Sequence, residues 1–176
     1  MSAWKILKRP ELVFPHLTQV AAAADANRDA LGFLPVSAYG ELAAQGKLWV
    51  GAIGGAYAGH LAFGGTYPNL KVFQVAVPSE HRGSGLGSEL IRHLIQYGEE
   101  YSYLSIVANV ASELSANAFW ERAGFPIVRT RAGGAVRGRV INVRVRQLHS
   151  PTLFSAAAAA EAALTIEQVK VVGLPI

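Results

Sequence analysis

The sequence predicts a mixed α/β fold in a single domain, on three observations. Apolar residues alternate between the period of a strand and the period of a helix along most of the chain. Glycines and prolines mark the changes of period. The chain has 176 residues, 51% of them hydrophobic, which suffices for one core of ordinary size and would be cramped for two.

Trp4–Leu7 reads as a short strand, and Pro10 and Pro15 then admit a helix over the Ala-rich stretch from Phe14 to Asp25. Gly32 and Pro35 interrupt, and Ser37 is the expected N-cap of a second helix through Ala44, stopped by Gly46. Leu48–Ile53 and Ala56–Phe63 are β-prone runs joined by the hairpin signal Gly54-Gly55. A third run, Val72–Val77, ends at Pro78. Helical spacing returns from Gly85 to about Glu100, with Leu86, Leu90, Ile91, Leu94 and Ile95 on one stripe. Leu104–Val107 reads as a buried strand, and Ser112 or Ser115 caps a helix ending at Gly124. Ile127–Thr130 and Val136–Val145 are the last strands, joined across Gly133-Gly134. The order is β-α-α-β-β-β-α-β-α-β-β, and it occupies residues 1–148 as one domain. Residues 149–176 are an Ala-rich tail, expected to dock on the domain or on a second copy in a homodimer.

Composition removes several function classes. General disorder does not fit the apolar content, and no apolar run reaches the roughly 18 residues of a membrane helix. No secretory pattern follows Lys5, Lys8 and Arg9, so a soluble, cytoplasmic protein without a membrane partner is expected. The chain has no Cys, which excludes a disulfide framework, a thiolate zinc site and a cysteine nucleophile. The histidines lack metal-binding spacing, so no metal is expected. Gly83-Ser84-Gly85 is only a fragment of a serine-hydrolase elbow. The net charge of +4 favours an anionic partner without naming it.

The segment Val75 to Ser88 places a strand, a tight glycine turn and a helix start in succession. At such a junction several main-chain N–H groups have no helical partner and the helix dipole adds positive charge, so a diphosphate can bind there. Arg82 adds a cation, and Ser84 and Ser88 add hydroxyls. A P-loop fails because Gly87-Ser88 has no Lys between them. A dinucleotide fingerprint fails because Ser88 stands at its third glycine and no acid follows at ribose distance.

The spacing Arg82-x-x-Gly85-x-Gly87 resembles the coenzyme A pyrophosphate loop of the GNAT acetyltransferases. Ala116-x-x-x-Trp120-x-x-x-Gly124-Phe125 is similar to the end of that family's fourth helix, and the element order follows the family to about Gln147. The resemblance implies a mixed, mostly antiparallel central sheet of six to seven strands with about four helices. It also implies acetyl-CoA as co-substrate and direct acetyl transfer to the amine of an acceptor. Main-chain groups of Val75 and Val77 would pair with the pantetheine arm, and amides from Arg82 through Gly83, Ser84, Gly85, Leu86, Gly87 and Ser88 would hold the pyrophosphate.

The chain departs from the family where chemistry is concerned. Trp120 replaces the usual Tyr acid, and an indole donates a hydrogen bond without delivering a proton. Glu113 replaces a common Asn, whose contact with the cofactor Asn117 could take over one turn later. Gln74 stands where a carboxylate base might serve, leaving His60, His81, Glu41 and Glu113 as candidates acting through water. Without an evident base, the expected acceptor is an amine that needs little help, such as an α-amine with pKa of about 7.7–8. Phe33, Tyr39 and Tyr67 are the expected acceptor-side residues.

Positive charge gathers late, at Arg129, Arg131, Arg137, Arg139, Arg144 and Arg146. Strand alternation sets Ile141, Val143 and Val145 on one face and Asn142, Arg144 and Arg146 on the other. A solvated face or edge protection is the preferred reading of the arginines; contact with RNA, as in toxins that acetylate aminoacyl-tRNA, is the alternative. A non-catalytic acyl-CoA-binding module is the second alternative.

Overall fold

A computed structural model describes residues 4–134 and 138–149. Arg137 and the tail from residue 150, with its expected docking or dimer role, lie outside them. Seven strands form one sheet: β1 (Trp4–Leu7), β2 (Leu48–Ile53), β3 (Ala56–Gly64), β4 (Asn69–Ala76), β5 (Ser105–Ala111), β6 (Ile127–Ala132) and β7 (Val140–Gln147). Their spatial order is β1-β2-β3-β4-β5-β7-β6. Only β4 and β5 are parallel neighbours; the other pairs are antiparallel. The helices are α1 (Pro10–Val13), α2 (Leu17–Ala26), α3 (Val36–Ala44), α4 (Leu86–Glu100) and α5 (Ala116–Arg122). A 3₁₀ turn over Phe14–His16 runs α1 into α2, so the helices form four arms. The predicted fold class is the one observed.

Strand alternation divides the core between the two faces of the sheet. Trp49, Leu61 and Phe63 meet Leu86, Leu90, Ile91 and Leu94 of α4, with Trp120 and Phe125 closing the same cluster. Leu48, Val50 and Ala62 meet Val13, Val20, Tyr39 and Ala43 on the other face. Each such buried aliphatic side chain contributes about 1.5–3 kcal/mol. The stripe expected on α4 is therefore the one that packs.

Three local expectations are corrected. Helix α3 begins at Val36 with Pro35 as its N-cap, so Ser37 lies inside the first turn; Pro35 fixes the extended backbone that precedes a helix. Strand β5 reaches Ala111, well past the expected end at Val107, because β7 pairs with it through Ala111↔Ile141. Polar Asn109 hid this extension from a hydrophobicity pattern. On β7, Asn142 and Arg144 are not solvated: both are buried. The Arg144 guanidinium donates to the Phe125 carbonyl oxygen and the Glu121 carboxylate, each at 2.7 Å, and to Asn117 Oδ1 at 3.2 Å.

Strands β4 and β5 pair only from Asn69↔Ser105 to Val72↔Ala108. Beyond that point β4 stays with β3, while β5 continues with β7. A register shift between Ala62 and Phe63 makes Phe73 the extra residue of β4 at this parting. The sheet thus opens into a V in its middle, where no edge would otherwise be exposed.

Candidate active site

The mouth of the V is built from the turn between β4 and α4. Gly83 and Gly85 take left-handed backbone angles, φ +77° and +88°, which side-chain-bearing residues rarely adopt. A Cβ at Gly83 would meet no atom within 4 Å, so the turn presents bare main chain to open space. The amides of Gly83, Gly85, Gly87 and Ser88 have no main-chain acceptor among the described residues. Those of Arg82 and Ser84 do, donating to Ser79 and His81 at 3.2 and 3.4 Å, so the free set is narrower than the run from Arg82 to Ser88. The Leu86 amide faces Ser84 Oγ at 3.4 Å. Four free amides at the start of a 15-residue helix suit a diphosphate.

Arg82 serves the turn itself. Its Nε donates to the Val77 carbonyl oxygen at 3.0 Å and its Nη2 to Asn27 Oδ1 at 3.1 Å, which ties the end of β4 to the end of α2. The Val77 carbonyl oxygen is therefore already engaged by Arg82, with one lone pair remaining.

Two hollows meet at the parting of β4 and β5. One, of about 600 Å³, runs from the glycine turn past Val75, Val77, Leu114, Phe119 and Trp120. The other, of about 490 Å³, lies between the 30–34 segment, Lys71 and the residues Gly133, Gly134 and Arg139. Ala30, Leu31, Gly32, Val72, Phe73 and Asn109 wall both. An extended ligand held at the turn can thus reach a second molecule at the junction.

Residues 11–125 match the sequence pattern of the Acetyltransferase (GNAT) family. The chain belongs to the GNAT acetyltransferase family. Human N-acetyltransferase 8B is 32% identical over 57 residues, which are 32% of this chain and 25% of the relative. Rat N-acetyltransferase family 8 member 2 is 29% identical over 94 residues, covering 48% and 40% respectively. The chain therefore spans less than half the length of these curated relatives. A solved structure of YncA, a putative acetyltransferase from Salmonella typhimurium with its cofactor acetyl-CoA, superposes with a TM-score of 0.71 at 17% identity. It covers 86% of this chain and 97% of the other.

Within this GNAT domain, most of the expected turn residues line the larger hollow: Arg82, Gly83, Gly85, Leu86, Gly87 and Ser88, with Val75 and Val77. Asn117 does not line it. Its Nδ2 points at the carbonyls of Ala111, Ser112 and Leu114, and its Oδ1 accepts from Asn142 and Arg144. An amide with every donor and acceptor so engaged organises the β5–α5 turn and has nothing left for a cofactor. Asn27, Phe119 and Arg122 line the hollow without having been singled out from the sequence. Their signal was faint: Phe119 and Arg122 share a helical face at i, i+3, visible only once Ser115 is taken as the helix start.

The base candidates separate on geometry. His60 is fully buried; its Nδ1 lies 2.7 Å from the Tyr57 hydroxyl and its Nε2 3.4 Å from Gln74 Oε1. Because Gln74 Oε1 can only accept, Nε2 carries the proton and Nδ1 accepts from Tyr57. Burial pushes this imidazole down to about 4, and it lines neither hollow. Gln74 also accepts from Tyr39 at 2.9 Å and donates to the Gly32 carbonyl oxygen, so it fastens the 27–34 segment over β4 rather than activating an amine. Glu113 is half exposed and paired with Arg139 at 2.8 Å, outside both hollows. Glu41 lies outside them as well, and His81 sits at the turn. No described Asp or Glu side chain lines either hollow.

The remaining candidates fall into place by burial. Trp120 is buried against Phe125 and faces the larger hollow, and its Nε1 has no acceptor among the described residues. Of the expected acceptor-side aromatics only Phe33 lines the smaller hollow. Tyr39 belongs to the core, and Tyr67 lies tilted against Tyr103, its ring centre 5.6 Å away, and lines neither hollow. The arginine cluster is dispersed: Arg144 is internal, Arg146 donates to Ala123, and Arg139 is ion-paired. A continuous basic face for RNA does not form from these three.

Proposed function

We propose that the domain transfers an acetyl group from acetyl-CoA to the amine of a small acceptor, an α-amine or another amine of low pKa. The observation that carries this reading is the parting of β4 and β5 after Val72↔Ala108, with four free amides at one end of the opening and a second hollow at the other.

The residues fit the co-substrate. The glycine turn offers Gly83, Gly85, Gly87 and Ser88 amides to a pyrophosphate, and Val75 with the unpaired part of β4 lines the path for an extended arm. When bound, acetyl-CoA supplies an activated thioester. The exchange forms one C–N bond, breaks one C–S bond and releases one proton from the amine. Phe119 and Trp120 give the larger hollow an apolar wall, and the Trp120 indole can donate a hydrogen bond to a departing sulfur. A thiolate with pKa of about 8.5 leaves without full protonation.

Among the described residues, no carboxylate in either hollow is placed to strip a proton from a cationic amine. Lysine with pKa of about 10.4 is neutral in roughly one molecule in a thousand at neutral pH, whereas an α-amine near 8 is neutral in a tenth or more. This favours the α-amine over a lysine side chain. An acceptor panel with acetyl-CoA tests the reading, and because the chain has no Cys a thiol reagent reports released coenzyme A alone. Thiol release with mass gain on an α-amine supports it. Tight binding of acetyl-CoA without transfer to any acceptor would identify a binding module instead.

A further inference from the structure

The smaller hollow has a charge pattern that the acetyl-transfer reading leaves unexplained. Its charged lining residues are Lys71 of β4, Arg131 of β6 and Arg139 before β7, and no described Asp or Glu joins them. Arg139 is answered by Glu113 at 2.8 Å. Arg131 makes one hydrogen bond, to the Ala132 carbonyl oxygen, and Lys71 has only a ring contact, its Nζ 6.0 Å from the centre of Phe73. Two cations therefore face one cavity with no carboxylate partner.

We propose that this hollow binds the acceptor through a carboxylate set beside its amine, an amino-acid-like molecule with an apolar body. Two cations without a counter-charge at one hollow disfavour a cationic acceptor there and favour one that carries an anionic group. The guanidinium of Arg131 offers a planar fork suited to a carboxylate, and Lys71 adds a point charge. Phe33 is 91% exposed at the rim, and Phe73 lies beneath Lys71; an apolar body laid between these rings removes both from water. Val72, Phe73 and Asn109 are shared with the larger hollow, which sets an anchored molecule's amine at the junction.

The same charges assist the chemistry. Lys71 and Arg131 on one side, with Arg82 and Arg122 across the junction and Arg139 offset by Glu113, make a positive surrounding that favours the neutral form of a bound amine. A free amino acid loses the field of its own carboxylate when that group is paired.

This inference rests on the acetyl-transfer reading for its biological sense, and the test separates the two. Phenylalanine, phenylalanine amide and phenethylamine are compared as acceptors by thiol release, in the wild type and in a Lys71→Met/Arg131→Gln double variant whose thermal unfolding is checked for integrity. The wild type should prefer phenylalanine over both analogues that lack the carboxylate by at least tenfold in kcat/KM, and the double variant should lose that ratio. Transfer to all three with no preference, or a preference that survives the double variant, overturns the carboxylate anchor while leaving acetyl transfer standing. Where no acceptor is turned over, calorimetric binding of N-acetylphenylalanine against N-acetylphenethylamine decides. Tighter binding of the carboxylate, lost in the double variant, upholds the anchor although transfer fails; equal or absent binding overturns it.

Discussion

Arg144 is buried to 3% exposure and holds Glu121 at 2.7 Å, although the Glu121 side chain is itself 64% exposed. The pair is unequal. The arginine also satisfies the Phe125 carbonyl and the Asn117 side chain, so it joins β7, α5 and the strand entry after Gly124. Arg144→Met takes this donor from the Phe125 carbonyl oxygen and one of two donors from Asn117 Oδ1, which keeps Asn142, and should cost about 2–3 kcal/mol of stability. Glu121→Gln keeps a hydrogen-bond acceptor at the surface end and should cost about 1 kcal/mol. Urea denaturation of both variants measures the order; equal losses would show that the ion pair, rather than the internal hydrogen bonds, holds this corner.

Gly59 sets the seat of the glycine turn. A Cβ there would stand 2.8 Å from the Ala76 carbonyl oxygen and 3.2 Å from Leu86 Cδ2. Both neighbours belong to the machinery, since Ala76 ends β4 and Leu86 opens α4 behind the glycine turn. Gly59→Ala should cost about 1–3 kcal/mol through overpacking and raise the KM for acetyl-CoA several-fold more than that for the acceptor. Equal effects on both constants would mean that the strain does not reach the turn.

Much of this arrangement was legible because local chemistry specifies it. The α4 stripe, the hairpin at Gly54-Gly55 and the glycine turn after Val77 each carry their reason within a few residues. Long-range partners explain the misreadings. Asn117 and Arg144 are polar in sequence, and only the packing of α5 over β7 makes them interior groups that satisfy each other. Tyr39 and Phe33 look alike on the chain, yet Gln74 draws the first into the core while the second stays exposed. The pairing of Arg139 with Glu113 likewise joins two turns that no spacing rule connects.

His60 gives the fold an acid sensitivity of its own. Its pKa in the folded protein is about 4, against an ordinary 6.5, because burial disfavours the cation. Above pH 6.5 neither state is protonated at this site and it has no effect. Between pH 6.5 and 4 the unfolded chain takes up a proton that the native chain refuses, so stability falls with pH, by about 3 kcal/mol over the whole window. His60→Gln removes that proton uptake. Its stability should start lower at pH 7.5, from lost packing with Tyr57 and Gln74, yet decline less between pH 6.5 and 4.5 than the wild type. Parallel pH curves for the two proteins would place the acid sensitivity in the carboxylates instead.

The catalytic pH dependence should come from the acceptor. With no described Asp or Glu lining either hollow and His60 enclosed in the core, the described residues offer no evident group to deprotonate a bound ammonium. The acidic limb of kcat/KM then reports the amine of the free acceptor. A series of acceptors of similar shape, with amine pKa values of about 7 to 9, should shift the midpoint of that limb one for one. Of the candidate bases His81, at the turn, is the one that lines the larger hollow, and His81→Gln should leave the tracking unchanged. A midpoint that stays fixed across the series, and moves when His81 is replaced, would assign the base to this protein and remove the reason for preferring an α-amine.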